Sequence, residues 1–138
     1  MSSSKTQGHL TCGASRGAPD RMATEEAHRK QEARNWAFYR FLGGPNADYC
    51  DWAVTAVFYA AVHRVEAFLI KKGVPGSGDH VARRDGLRRL RCFKAEKTLK
   101  KLETASREAR YFCRTDFTPK DLRDIEAWAD EDLAAELH

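Results

Sequence analysis

The chain has 138 residues, 42% hydrophobic and 32% charged, with a formal net charge of +4. That length suits one domain able to bury a core without disulfide or metal staples. No stretch approaches the run of about 18 apolar residues that marks a membrane span, so no membrane role is expected.

The first twenty residues are rich in Ser and Gly and lack the apolar run of a secretory signal. Residues 1–23 therefore read as a disordered leader, and residues 24–138 as one helical domain. The four cysteines, Cys12, Cys50, Cys92 and Cys113, form no C-x-x-C pair. Scattered single cysteines without a signal peptide point to free thiols in a reducing cytoplasm, with no metal and no cofactor.

The helices follow in order. Thr24 is a fitting N-cap, Glu25 and Glu26 suit a first turn, and a helix is predicted from Thr24 to Leu42. Its expected inward stripe is Ala33, Trp36, Ala37, Arg40 and Phe41, ended by Gly43, Gly44 and Pro45. A second helix is predicted from Tyr49 to Lys72. Val54, Val57, Phe58, Ala61, Val65, Phe68 and Leu69 form its broad apolar face. Ala53, Ala56, Ala60 and Ala67 lie on a neighbouring face, where small side chains let another helix come close.

Gly73 to Asp79 reads as a loop. Lacking a following Lys-Ser or Lys-Thr, it fails the phosphate-loop pattern. A third helix is predicted from His80 to Arg91, with Asp79 as cap, and a fourth from Ala95 to Arg110. The last is predicted from Pro119 to Leu137, with Thr118 as N-cap and Asp121 at N3. Trp36, Trp52 and Trp128 all fall at core-compatible positions. No strand pattern or repeat is found, so the fold class is all-α, an up-and-down bundle of four to five helices.

Charge is unevenly spread. Lys71 to Arg110 holds 13 Lys or Arg against 5 Asp or Glu, whereas Pro119 to His138 holds 2 against 7. A basic middle attracts phosphate backbones, or pairs with the acidic end within or between chains.

Two constellations carry possible chemistry. Tyr59, His63 and Glu66, four and three residues apart, share a polar stripe on an otherwise apolar helix. A carboxylate orienting an imidazole would suit metal-independent RNA cleavage, in which a base takes the proton of a 2′-hydroxyl; the simpler reading is a satisfied polar seam between helices or subunits, since buried polar groups are normally there to be paired. His80, Arg83 and Arg84 fall together at the start of the third helix, with Arg88, Arg89 and Arg91 extending the positive field. Guanidinium forks bind phosphate, and the alternative is a solvated turn.

The run from Trp52 through Phe58, Tyr59, His63 and Glu66 to Leu69 resembles the signature helix of HEPN domains. Gly73 followed by His80 is similar to the family's loop and the opening of its next helix. Arg107-Glu-Ala-Arg110-Tyr111 and Phe117-Thr118-Pro119 are similar to its later segments. The resemblance covers about residues 33–137. It implies a HEPN-like helical bundle, often a homodimer, found in toxin–antitoxin, defence and RNA-processing systems. Some members are ribonucleases, and others pair with a nucleotidyltransferase or antitoxin partner.

Catalytic members carry an Arg followed by a His after four to six residues. The one such pair here, Arg21 and His28, lies outside the late position the family uses. The site expected from residues and resemblance together has His80, His63 and Arg84 as catalytic groups and Arg83, Arg88 and Arg89 as RNA or phosphate ligands. Tyr59 and Glu66 support them. Two functions stay open: an RNA-directed protein, or a non-catalytic dimerisation and interaction module.

Overall fold

Thr24 opens the first helix as its residue type predicts: its hydroxyl accepts from the Ala27 amide at 3.1 Å. The computed structural model describes residues 23–74 and 78–138. The expected leader falls almost wholly outside these residues, as do Cys12, Arg21 and the middle of the Gly73–Asp79 loop.

Within the described residues the chain is all-helical, with five helices and no strand. They are α1 (Glu25–Phe41), α2 (Cys50–Lys71), α3 (His80–Arg89), α4 (Phe93–Tyr111) and α5 (Pro119–Ala127). A short 3-10 turn, Gly44–Asn46, joins α1 to α2. The reciprocal cap of α5 is complete. Thr118 Oγ1 accepts from the Asp121 amide at 3.0 Å, and Asp121 accepts from the Thr118 amide at 2.9 Å.

α2 is the central rod and contacts every other helix. Val54, Val57, Phe58, Val65 and Leu69 are all buried, and so are Ala53, Ala56, Ala60 and Ala67. By length and composition α2 is apolar enough to cross a membrane, yet 72% of its most apolar window is buried inside the protein, as in a core helix. Leu87, Leu99, Leu102, Leu122, Ile125 and Leu133 close the core from the other helices. Apolar burial on this scale is the main favourable contribution to folding.

Three expectations are corrected. The stripe of α1 predicted to point inward faces outward: Ala33, Ala37 and Arg40 are exposed, Phe41 is 83% exposed, and only Trp36 is half-buried. α1 docks by a polar flank instead. Glu32 meets Arg64 of α2 at 3.1 Å, and the buried Tyr39 donates to Glu126 of α5 at 2.8 Å. Burial, then Glu126, pushes the Tyr39 phenol well above its usual range.

Trp52, expected in the core, is 57% exposed. It lies in the first turn of α2, beside Phe38, Leu42 and Tyr49, with which it lines a shallow apolar depression of about 340 Å³. The last helix does not run regularly to Leu137. It widens into a π turn at Trp128–Asp132, and regular helix stops at Ala134.

Candidate functional site

The polar stripe of α2 is where the helices converge. Each of its three members reaches a different helix. His63 meets His28 of α1, with Nδ1 to Nδ1 at 2.9 Å. Glu66 accepts from Arg83 Nε of α3 at 2.7 Å. The Tyr59 hydroxyl accepts from Arg110 of α4 at 3.0 Å.

The Glu66–Arg83 pair is buried, with side chains 4% exposed on both sides. Taking two charges out of water costs several kcal/mol each, offset only by close, directed contact, so losing one partner of such a pair typically costs about 3–5 kcal/mol. Arg83 also donates from NH1 to His80 Nδ1 at 2.9 Å. A guanidinium has no lone pair to accept with and stays protonated. Nδ1 of His80 must therefore be the acceptor, which places the hydrogen of the neutral ring on Nε2. Glu66, through Arg83, thus sets both the angle and the tautomer of His80.

The His28–His63 contact imposes a different rule. One of the two Nδ1 atoms must be unprotonated to accept, so the bond cannot survive with both rings charged. His63 is held below the ordinary histidine range, first by burial, then by the positive charge of His28 and Arg83, with Glu66 opposing. A neutral imidazole can accept a proton, and His80 presents a hydrogen-bond donor at Nε2.

Arg110 completes the cluster. Its Nε donates to Ser106 at 2.8 Å and its NH1 to Tyr111 at 3.2 Å. Its guanidinium carbon sits 5.6 Å from the Phe58 ring centroid. Phe58 in turn touches the His80 ring, with centroids 5.7 Å apart. Tyr59, His63, Glu66, His80 and Arg83, all singled out in the sequence, are thus brought together, joined by His28 and Arg110.

The remaining expected residues behave differently. Arg84 is paired with Glu103 of α4, and Arg88 with Asp85 and Glu96. Arg83, expected as a phosphate ligand, is buried and turned to Glu66. The sequence places four arginines and one acid, Asp85, on α3; the fold adds Glu66, Glu96 and Glu103 opposite them, and three of the four arginines are paired. Arg89 is exposed and forms no ion pair among the described residues.

Unneutralised positive charge lies instead on the opposite flank of α4. Lys94, Lys97, Lys100 and Lys101 line an open groove of about 730 Å³ together with Thr104 and Asp132. Lys101 lies 4.3 Å over the Trp128 ring.

Among the described residues no group of three or more His, Cys, Asp or Glu is arranged to hold a metal ion. Cys50, Cys92 and Cys113 are free thiols. His28 and Arg110 were not assigned these roles from sequence. His28 meets His63 across 35 residues, and no local spacing announces such a pair. Arg110 had a clue, a helical arginine followed by an aromatic residue, but its partners Tyr59 and Phe58 lie far upstream.

Comparison with protein-family models, with curated proteins and with solved structures finds no match.

Proposed function

We propose that this chain is a HEPN-like, up-and-down helical bundle that engages RNA through the His63–His80 cluster, as a component of a prokaryotic toxin–antitoxin or defence system. One observation carries the proposal. A buried Glu66–Arg83 pair holds His80 in a single tautomer, with its Nε2–H free. Burying two charges to orient one half-buried imidazole is costly for a merely structural turn, and fits a group that must meet a ligand in a fixed direction.

Cleavage at this site would need no metal. A neutral His63 takes the 2′-hydroxyl proton, the 2′-oxygen attacks the adjacent phosphorus, and the bond to the 5′-oxygen breaks as that oxygen takes a proton from solvent, while His80 Nε2–H donates a hydrogen bond to a phosphate oxygen on which charge builds. The products would be a 2′,3′-cyclic phosphate and a 5′-hydroxyl. Arg84, expected as a catalytic group, takes no part in this scheme because it is paired with Glu103.

The test is fluorescence anisotropy with a labelled single-stranded RNA in EDTA, followed by gel analysis of the same mixtures. Replacing His80 with Ala should weaken binding about tenfold, the scale of one charge-assisted or well-directed hydrogen bond. A folded His80→Ala protein that binds and cleaves as the parent does would remove the proposal.

The resemblance also implies a homodimer, and a specific feature favours that part of the second reading. Phe38, Phe41, Tyr49 and Trp52 are 42–83% exposed and lie together where α1 ends and α2 begins. Clustered exposed aromatics mark interaction surfaces.

A further inference from the structure

Arg110 is the one arginine of the polar cluster without an acidic partner. Arg64, Arg83, Arg84, Arg88 and Arg114 each meet a carboxylate. Arg110 is half-buried, and its guanidinium meets only hydroxyl oxygens and rings: Ser106, Tyr59 and Tyr111 by hydrogen bonds, and Phe58, Tyr59 and Tyr111 by their faces.

Its proton inventory is one-sided. Nε and NH1 are engaged, while NH2 has two N–H groups with no acceptor among the described residues. Each tyrosine hydroxyl accepts from Arg110 and keeps its own proton, again with no acceptor among the described residues. The Phe58 ring touches both groups, with its centroid 5.7 Å from that of His80 and 5.6 Å from the Arg110 guanidinium carbon. The result is a half-buried cation whose NH2 protons, with the protons of both tyrosine hydroxyls, have no acceptor among the described residues, and which has no carboxylate partner among them. Such an arrangement is complementary to an oxyanion. Beside it, Tyr111 and Phe112 are 65% and 67% exposed, placed where a base can stack.

We infer that Arg110, with Tyr59 and Tyr111, forms a cradle for a tetrahedral oxyanion, and that its ligand is the phosphate group of a nucleotide. Ser106, fully buried, fixes the guanidinium through Nε. The inference rests on the RNA-directed reading for its ligand class, and on the donor geometry alone for the site.

The experiment titrates the full chain with inorganic phosphate, and separately with a mononucleotide, against sodium chloride of equal ionic strength. Melting temperature and the Arg110 Nε–Hε NMR signal are followed. Phosphate excluded from protein surfaces stabilises any fold slightly, so the wild type is compared with Arg110→Gln and with Arg34→Ala, an exposed arginine of α1. The expected result is a phosphate-dependent rise in melting temperature and a shifted Nε–Hε signal in the wild type and in Arg34→Ala. In Arg110→Gln the rise should be lost, with affinity down about tenfold or more.

Equal phosphate responses in wild type and Arg110→Gln overturn the cradle. Should Arg110→Gln fail to fold, the wild-type Nε–Hε titration and a Tyr59→Phe variant with weakened binding decide it; an unmoved signal is a refutation. Arg110-dependent phosphate binding in a chain that ignores RNA sustains the cradle and removes the RNA reading. RNA binding indifferent to Arg110 does the reverse.

Discussion

His63 stands at the junction of two ring systems and two charges. Its position makes folding sensitive to pH, and the sign can be worked out. The ordinary value is 6.5, and in the folded chain the ring is held below it. Well above that value neither the folded nor the unfolded ring carries the extra proton, and His63 contributes no slope. As pH falls through the ordinary value, the unfolded chain binds a proton that the folded chain resists. Stability therefore falls as the solution becomes more acidic, and levels off only below the folded-state pKa. The second protonation also breaks the His28–His63 bond, because both Nδ1 atoms become donors. Urea denaturation at about pH 7.5 and about pH 5.5 should show a loss of stability in the wild type and a smaller loss in His63→Asn. Equal losses would show that the pair does not set the acid response.

At the scale of helices, α3 is short, and beside the Glu66–Arg83 pair its close approach to α2 depends on Gly86. A Cβ built on Gly86 would meet Leu69 at 3.1 and 3.2 Å and Val74 at 3.3 Å. Alanine is favoured over glycine inside a helix by about 1 kcal/mol. Leu69 is only 1% exposed and hemmed in by the core, so it has little room to give. Overpacking typically costs about 1–3 kcal/mol, and Gly86→Ala should lower stability by about 1 kcal/mol net. Chemical denaturation checks this, and a stabilised variant would mean that Leu69 relocates freely.

The same glycine shows what pattern reading captures and what it misses. α2 was legible because its apolar face, Val54 to Leu69, continues for about four turns and ends in a glycine loop. Gly86 in a helix reads only as a weak point, since nothing local reveals that Leu69 arrives seventeen residues from its own position. α1 was legible in extent but not in facing. Its aromatic stripe suggests burial, whereas the inward side is fixed by Glu32 with Arg64 and Tyr39 with Glu126, partners known only after folding.

For the whole molecule, the expected site was half legible. Tyr59, His63 and Glu66 share a face by helical arithmetic alone, and the fold brings His80 and Arg83 to them. Asp85, three residues before Arg88, was visible as a local partner, whereas the pairing of Arg84 with Glu103 and of Arg88 with Glu96 was hidden, because those acids belong to another helix. Net charge along the sequence overstated the phosphate-binding power of α3 and gave no hint that the unneutralised lysines gather on the far flank of α4.

The aromatic depression near Trp52 bears on assembly. Sedimentation should show a dimer, and Trp52→Glu, which places a charge in that surface, should give a monomer without unfolding. A wild-type monomer at high concentration would remove the dimer.

RNA has two basic destinations on this protein, and they lie on opposite flanks of α4. NMR on a ring- and amide-labelled chain, titrated with a short single-stranded RNA, separates them in one measurement. The expected result is movement of the His63 and His80 ring signals, with smaller changes at Lys94, Lys97 and Lys101. Still His63 and His80 rings, with RNA shifting only the lysine groove, would contradict the site proposed for this fold.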